Sequence, residues 1–476
     1  NFKEHVFNTK ELYELVFLQL KDAIQNLSFV LREEVVNASE SYLGTLPGHG
    51  GYDCRLIPFD SVGWSYLLPI AGIYAGEPKC PNPYYPENSS ALFYAATGNS
   101  NIYRFNSQVS DVGHMELLGP TGAGKTTWIG LMISQHKKYP NNKIIVLDKD
   151  ASSKHTIRAH GGKYYDPSDL ATHKIAPFTN IEDKYSFELI HKWLCETFAI
   201  NGVTMTAERR GELSQALKRL ASLDPSERKF SNLVIQDEEL RATYRNLKAS
   251  IFGEIMDGTD DHILNNSLVG IDIGRILELA EQYSSPIIRC LLNKIDISAD
   301  KKVPTLVFIE EGWMLLDREE YRNEIKDWLK TFRKKVVSVI FISQSLSDIA
   351  KSDIKDVLME SCPTKIYLPN ADALQSDVRQ QYKDFGLNDS QINIIASATP
   401  KQDYYVVQPQ GQRLVDTNLG EVTLAFTAIS SNEEVERFEK HFEEDNDEWV
   451  ANYLDACDLK DAANYVRENL LEAKNA

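Results

Sequence analysis

The 476-residue chain lacks two features that would make it a membrane or nucleic-acid-coating protein. Its most apolar stretch, residues 64–75, is broken by Pro69 and is too short to cross a bilayer, so we interpret it as a buried strand and turn. The net charge of −18 argues against indiscriminate binding to nucleic acid or to anionic membranes. A local basic surface is still compatible with that sum.

Cysteine is also scarce. The six cysteines lie far apart, and no two have the C-x-x-C spacing of a zinc or redox site. Cys54 and Cys80 could pair in a secreted protein, but the overall pattern favours a reducing compartment over a disulfide framework. The ordinary apolar and charged content of the chain makes sizeable buried cores possible.

A glycine-rich run that satisfies the pattern G-x-x-x-x-G-K-[ST] is the most informative feature present. Its glycines let several backbone N–H groups point inward at phosphate oxygens. Lys125 supplies a positive charge for the β- and γ-phosphates, and Thr126 offers a hydroxyl to Mg²⁺. The predicted ATP-binding residues are Gly119, Pro120, Thr121, Gly122, Ala123, Gly124, Lys125, Thr126 and Thr127.

The residues around this run predict the strand–loop–helix order that a phosphate-binding loop requires. Residues 114–118 are short and mostly apolar, as in a strand, and residues 126–135 have the apolar content of a largely buried helix. The positive end of that helix would add to the same anion site. The alternative is a glycine-rich turn that binds nothing. That alternative does not explain why a strand pattern precedes the run and a helix pattern follows it.

Strand and helix patterns alternate from about residue 113 onward. Such alternation predicts an α/β fold with a mostly parallel central sheet that helices cover on both faces. Residues 203–253 are mostly helical and charged, and we interpret them as an α-helical insertion. The further predicted strands are 91–96, 101–105, 143–148, 304–309, 336–342 and 365–368, and a charged helix is predicted at 318–335.

Two acidic residues follow the apolar run 306–309, at the end of a strand where α/β sheets bind ligands. We assign Glu310 to the hydration shell of Mg²⁺ and Glu311 to polarising the attacking water. Lys125, Glu310, Glu311 and Gln344 are the predicted catalytic set, and we expect the acids on a strand adjacent to the phosphate-loop strand. The alternative is a pair of solvent-facing acids at a helix N-terminus.

Three further residues lie around the strand 336–342. Gln344 follows its end, so it could hydrogen-bond a γ-phosphate oxygen or the lytic water, although it could equally cap the next helix. Arg333 and Lys334 precede the strand and could reach the γ-phosphate of a neighbouring subunit. A solvated helix C-terminus, where cations are favoured, explains these two equally well.

Taken together, five segments resemble the type IV secretion ATPases of the VirB-four class, whose relatives include TrbE and CagE-like proteins. The resemblance covers about residues 40 to 430. Glu310 stands where that family usually has Asp, and Ser343 stands where it often has Thr. The five segments are 119–127, 308–316, 325–335, 341–349 and 363–370.

The resemblance implies a RecA-like P-loop NTPase with a helical insertion, using ATP and Mg²⁺. It implies a peripheral protein at the cytoplasmic face of the bacterial inner membrane that self-associates as a dimer or hexamer. The implied partners are other secretion ATPases, inner-membrane components and a transported protein or DNA, and the implied function is an ATP-hydrolysing motor for pilus assembly and substrate transfer. Two alternatives stay open: a DNA-translocating coupling protein or HerA/FtsK-like motor, and a nucleotide-binding scaffold without turnover.

Within that framework the sequence predicts five segments. The chain starts with Asn, and its opening has the pattern of the middle of a helix, so we expect a fragment of a longer protein. The acidic run after residue 430 is interpreted as a solvated helix face, with a docking site as the alternative. The segments are 1–100 (remnant of an N-terminal domain, helix then β-rich), 101–200 and 266–430 (the two parts of the ATPase core), 201–265 (the helical insertion) and 431–476 (an acidic helical C-terminus).

Overall fold

A computed structural model describes most of the chain, and its contacts divide the chain into two units, residues 1–73 and 74–476. Within the first unit, the short helix Ala38–Gly44 is described. Residues 64–73 of the predicted apolar segment, and most of the opening stretch predicted to be helical, lie outside the described residues. The described residues are 14, 16–21, 24, 34–49, 51, 74–98, 101–149, 151–167, 174–299, 303–312, 319–344, 346–351, 354–443, 446 and 448–471.

The second unit is built on one sheet of eleven strands in the order β2-β1-β11-β10-β9-β3-β8-β7-β4-β6-β5. The seven strands from β9 to β5 are parallel, and the four from β2 to β10 pair antiparallel. The strands are β1 (Phe93–Ala96), β2 (Ile102–Phe105), β3 (Met115–Leu118), β4 (Lys143–Asp148), β5 (Lys163–Tyr165), β6 (Leu268–Asp272), β7 (Thr305–Ile309), β8 (Val337–Ser343), β9 (Thr364–Tyr367), β10 (Asp403–Gln408) and β11 (Gly411–Asp416).

The central strands are buried on both faces because their side chains alternate between two apolar cores. On β4, Ile145 and Leu147 enter one core, whereas Ile144 and Val146 enter the other. Successive side chains of a strand point to opposite faces, so this division places a packed layer on each side of the sheet. The helix Lys125–His136 contributes to the second core.

Helices fill both layers. The α-helices of the second unit are Lys125–His136, Lys154–Ala159, Lys184–Ile200, Ala207–Ala221, Glu238–Lys248, Ile251–Ile255, His262–Asn265, Gly274–Leu277, Glu281–Ala299, Glu319–Thr331, Leu346–Lys351, Lys355–Ser361, Ser376–Asp384, Asp389–Ser397, Glu421–Thr427, Asn432–His441, Trp449–Ala456 and Lys460–Tyr465. Among the described residues, no helix has both the length and the apolar character that crossing a membrane requires.

The predicted elements of the core are confirmed to within a few residues. The helix predicted at 318–335 ends earlier, at Thr331, and a 3₁₀ turn Phe332–Lys335 continues it to β8. The predicted insertion contains the helices Ala207–Ala221 and Glu238–Lys248, and the described residues after 430 are mostly helical. The division of the chain into five segments stays a prediction.

The hairpin of β10 and β11 is an element that the sequence analysis did not predict. Its strands pair from Asp403 with Asp416 to Gln408 with Gly411, and β10 continues the sheet antiparallel to β9. β1 and β2 pair antiparallel with each other and extend the same edge. The sheet is therefore mostly parallel, as predicted, with an antiparallel edge of four strands.

Candidate functional site

The glycine-rich run forms a tight loop between β3 and the helix Lys125–His136. Gly122 and Gly124 have φ values of +78° and +114°, a region that only glycine adopts without strain. The loop is fastened at both ends. Gly119 N–H donates to the Ser343 carbonyl at 3.2 Å, and the Tyr404 hydroxyl donates to the Gly124 carbonyl at 3.0 Å. The turns at the two glycines and these two hydrogen bonds hold the loop backbone in one concave shape.

The helix that follows begins with no side-chain cap, because Gly124 occupies the N-cap position. The N–H groups of its first turn are therefore available to an anion at the positive end of the helix dipole. Lys125 folds back over the loop and donates from Nζ to the Gly119 carbonyl at 3.0 Å. Burial lowers the pKa of Lys125, and the charges of Glu311 and Glu310 oppose that shift.

The order of the strands corrects one expectation. β7, which leads to Glu310 and Glu311, is not adjacent to β3, because β8 lies between them and pairs parallel with both. The reason is the chain path: β8 is the last of these three strands in the sequence, but it lies between β3 and β7 in the sheet. Since the carboxyl ends of parallel strands meet at one edge, the loop, the acids and Gln344 still meet there.

A chain of hydrogen bonds links the two sides through Gln344. The Thr121 hydroxyl donates to the Gln344 amide oxygen, and the Gln344 amide nitrogen donates to Glu311 Oε1. Glu311 itself has φ of +49°, which is costly for a residue other than glycine. A strained acid joined through an amide to the phosphate loop is an arrangement often found at catalytic sites.

Glu310 is held by partners that the sequence analysis did not name. The hydroxyls of Ser152 and Ser153 each donate to one of its carboxylate oxygens. Ser152 Oγ also lies 2.8 Å from Asp148 Oδ1, so its single proton is shared between the two carboxylates, and the hydroxyl of Tyr164 donates to Asp148 Oδ2 at 2.9 Å. Burial, followed by the nearby Asp148 carboxylate, raises the pKa of Glu310 well above its ordinary value.

Only one of the residues around Glu310 could be recognised from the sequence. The strand 143–148 visibly ends in an acid, and Asp148 stands at the end of β4, which pairs with β7. Ser152 and Ser153 belong to no motif. Their proximity to Glu310 follows from the turn after β4, where Ser153 N–H donates to Asp148 Oδ2 at 2.9 Å.

The loop, the acids and Gln344 surround one cavity of about 310 Å³. The wall contains Lys125, Thr126 and Thr127 on the loop side, and Glu310, Glu311 and Gln344 on the acid side. Lys149, Lys401 and Ser430 also line it and were not predicted. Gly119, Pro120 and Ala123 shape the loop, while Thr121, Gly122 and Gly124 reach the cavity.

These residues fit a nucleotide with Mg²⁺. Uncapped backbone N–H groups and lysines suit the phosphates, and a threonine hydroxyl beside a carboxylate suits a metal that keeps most of its waters. Among the described residues, no group of three or more His, Cys, Asp or Glu is placed to bind a metal alone. Mg²⁺ at phosphate sites needs only one or two carboxylates together with the phosphates.

Arg333 and Lys334 lie elsewhere. They belong to the 3₁₀ turn before β8, at the amino end of that strand, whereas Gln344 follows its carboxyl end. Arg333 is half exposed and its Nε lies 2.6 Å from Asp111 Oδ2. The two cations therefore do not line the cavity of their own chain, and a role toward a neighbouring subunit stays a prediction.

Comparison with known proteins agrees with this geometry. A family model described as the TraG P-loop domain matches residues 262–440. The chain is 33% identical over 452 residues to a probable conjugal transfer protein TrbE of Sinorhizobium fredii, covering 93% of this chain and 68% of that protein. It is 32% identical over 441 residues to the conjugal transfer protein TrbE of Rhizobium radiobacter, covering 90% of this chain and 53% of that protein.

The fold has a solved counterpart in VirB4 of Thermoanaerobacter pseudethanolicus. The two superpose with a TM-score of 0.52 at 15% identity, over 70% of this chain and 97% of that chain. At that identity the likeness shows the fold alone, which is that of a RecA-like P-loop NTPase. Sequence identity over most of the chain and the intact loop together show that this chain belongs to the TrbE/VirB4 family of conjugal-transfer and type IV secretion proteins.

Proposed function

We propose that this chain is the ATP-hydrolysing motor part of a type IV secretion or conjugation apparatus, powering pilus assembly and substrate transfer. One observation carries the ATPase proposal: the phosphate loop and the pair Glu310 and Glu311 face the same cavity, with Gln344 bonded to both sides. A protein that only binds nucleotide has no need of a second acid beside the metal-binding one.

Each side chain has a distinct role in this proposal. The loop backbone and Lys125 bind the phosphates, and Thr126 together with Glu310, through water, holds Mg²⁺. The bound metal neutralises charge on the phosphates. Glu311 accepts the proton of the attacking water, and Gln344 orients that water while it connects Glu311 to Thr121. Loops that sense the γ-phosphate would then change conformation on hydrolysis.

The setting of this ATPase is inferred from its relatives. The chain spans 68% of the Sinorhizobium relative and about half of the Rhizobium protein, so the activity of a whole family member is itself a proposal for this chain. We propose self-association as a dimer or hexamer and a peripheral position at the cytoplasmic face of the inner membrane. The partners would be other secretion ATPases, inner-membrane components and the transported protein or DNA.

The experiment is ATP turnover by the purified chain with and without Mg²⁺, beside the Lys125→Ala variant. We expect Mg²⁺-dependent turnover in the native chain and loss of at least about 100-fold in the variant, because the lysine stabilises charge on the phosphates. Circular dichroism checks that the variant is folded. Turnover that survives in Lys125→Ala contradicts the proposed site.

Double-stranded DNA in the same assay separates the motor from the DNA translocase. We expect little stimulation, in keeping with the net charge of −18. A many-fold, salt-dependent rise in turnover would favour the DNA-translocating coupling protein instead.

A further inference from the structure

A second cavity, of about 590 Å³, adjoins the nucleotide cavity and has no role in the proposed hydrolysis. Three residues line both: Thr127, Lys401 and Ser430. The second cavity is otherwise formed by residues between 421 and 459, in the helices Glu421–Thr427, Asn432–His441 and Trp449–Ala456 and the turns between and after them. The two cavities therefore share an edge just beyond the phosphate loop.

The direction of a bound nucleotide follows from the two ends of the first cavity. Glu310, Glu311 and Gln344 lie at the end where the terminal phosphate reacts, next to Lys125. A triphosphate is linear along its chain, so its α-phosphate must lie toward the opposite end. Thr127 lines both cavities, whereas the two acids and Gln344 line only the first, so we place the α-phosphate toward Thr127.

The lining of the second cavity has the chemistry of a site for a base and a ribose. Leu424, Ala428 and Ile429 supply apolar surface, whereas Glu434 and Arg437 supply polar atoms. Pockets for small organic ligands span about 300–1,000 Å³, and the lining here is about equally polar and apolar, as a ribose together with a base would require. Glu434 is fixed by accepting from the backbone N–H groups of Ser430 and Ser431 at 3.1 and 2.8 Å.

This cavity is also held rigidly against the phosphate loop. The helix Glu421–Thr427 packs directly on the helix Lys125–His136, where a Cβ on Gly130 would lie 2.7 Å from the Thr427 carbonyl oxygen. Tyr453 extends the contact by donating to the Ala425 carbonyl at 2.8 Å. A ligand that reaches from one cavity to the other would meet a wall set at a fixed distance from the loop.

We propose that the cavity lined by residues 421–459 binds the nucleoside half of the nucleotide, its base and ribose, while residues 119–127 bind the phosphates. This inference rests on the proposed function. It makes the segment after residue 420 part of the ligand site. The helix Glu421–Thr427 supplies apolar wall through Leu424.

The test compares two substitutions on one helix. Leu424 lines the cavity and is 38% exposed, whereas Val422, on the same helix, does not line it and is 43% exposed. Leu424→Trp fills the cavity and Val422→Trp adds the same bulk outside it. Binding of ATP and of inorganic tripolyphosphate is measured by calorimetry for both variants, the native chain and Lys125→Ala.

We expect Leu424→Trp to weaken ATP at least tenfold and to leave tripolyphosphate within twofold, and Val422→Trp to change neither. Lys125→Ala should weaken both ligands. If Lys125→Ala weakens both but Leu424→Trp weakens neither, the nucleoside site is wrong and the phosphate site stands. If Lys125→Ala weakens neither, the proposed function itself fails. If Leu424→Trp weakens both equally, the cavity has no specific role toward the nucleoside.

A second measurement needs no substitution and decides the question if Leu424→Trp does not fold. The native chain is irradiated with 8-azido-ATP, whose reactive group is on the base, and the labelled peptides are identified by mass spectrometry. We expect label within residues 421–459 that unlabelled ATP removes. Label that ATP removes from other peptides alone overturns the proposal.

Discussion

Two glutamates, one within β3 and one directly after β7, have pKa values that burial raises, but in the part of the chain that the structure describes only the second has hydrogen-bond partners. Glu116, in the middle of β3, is 0% exposed, and neither of its carboxylate oxygens has a hydrogen-bond partner among the described residues. Glu310, directly after β7, receives a serine hydroxyl on each oxygen. β3 supports the phosphate loop and β7 supports the acids.

The difference shows what distinguishes a functional carboxylate from a buried one. Burial raises the pKa of Glu116 to about 7, and the charge of Lys365 only partly opposes that shift. Glu310 lies at the strand end, where the sheet edge, Asp148 and two hydroxyls orient it toward a cavity. An oriented, hydrogen-bonded acid can be used in chemistry, whereas a buried acid without partners is a cost to stability.

Replacing Glu116 tests the β3 side and has the largest expected effect on stability. Its pKa is higher in the folded chain than the ordinary 4.5, so folding favours the protonated form. The raised pKa of Glu116 therefore contributes its full stabilisation of the folded chain below pH about 4.5, and this stabilisation is lost as the pH rises toward 7. The unfolding free energy of Glu116→Gln should therefore rise by about 2–3 kcal/mol relative to that of the native chain as the pH goes from 5 to 8. Denaturant unfolding at each pH measures both values.

The exposed Glu254 offers the control for this comparison, since Glu254→Gln makes the same chemical change at the surface. Cys362, Tyr367 and Lys365 are the ionisable groups that interact with Glu116, and none of them is altered. If the unfolding free energies of the native chain and of Glu116→Gln changed equally across this pH range, the cost assigned to the buried Glu116 carboxylate would be wrong.

Substitutions in the phosphate loop separate backbone strain from crowding at the end of β3. Gly122→Ala meets strain at φ +78° with nothing within 4 Å, whereas Gly124→Ala meets strain at φ +114° and also adds a Cβ 2.7 Å from the Tyr404 hydroxyl and 3.0 Å from the Lys401 Cα. We expect unfolding free energies to fall by about 1 kcal/mol for Gly122→Ala and about 2 kcal/mol for Gly124→Ala. Denaturant midpoints check this, and equal losses would show that the Tyr404 contact does not matter.

Replacing Ser153 tests the β7 side and has the smallest expected effect. Ser153→Ala removes one of the two hydroxyls on Glu310, so the carboxylate is positioned less well for Mg²⁺. We expect kcat to fall about tenfold and the Mg²⁺ concentration for half-maximal rate to rise, with KM for ATP nearly unchanged. Ser222→Ala serves as the control, because Ser222 lies in a helix cap and its hydroxyl donates to the Arg219 carbonyl. An unchanged Mg²⁺ dependence would refute the role of Ser153.

The position of the glycine-rich loop between a strand and a helix could be predicted because its residues are contiguous in sequence, while its binding of phosphate stays a prediction. Strand ends were also predictable, since apolar runs ending in Glu310 or Gln344 are visible locally. Strand order was not: β8 separates β3 from β7, and no local pattern reports which strand is inserted between two others. The β10–β11 hairpin did have a signal, the aromatic and β-branched run at 404–407, but it lies outside the strand–helix alternation on which the prediction was based.

The partners of the acids were unpredictable for the same reason. Ser152 and Ser153 lie far before Glu310 in the sequence and are brought to it only by the pairing of β4 with β7. Lys401 and Ser430 reach the cavity through the β9–β10 connection and the segment after β11. Glu116 had no local signal either, because a polar residue in a short strand does not reveal whether a partner reaches it.

The central claim is that the loop and the acids form one site for ATP hydrolysis, and Glu311→Gln tests it most directly. The amide keeps the size of the side chain but cannot accept the proton of water. We predict that turnover falls by about 10²–10³-fold while calorimetry shows ATP affinity within threefold of the native chain. Turnover within twofold of the native rate would contradict the account, because Glu311 would then take no part in the reaction.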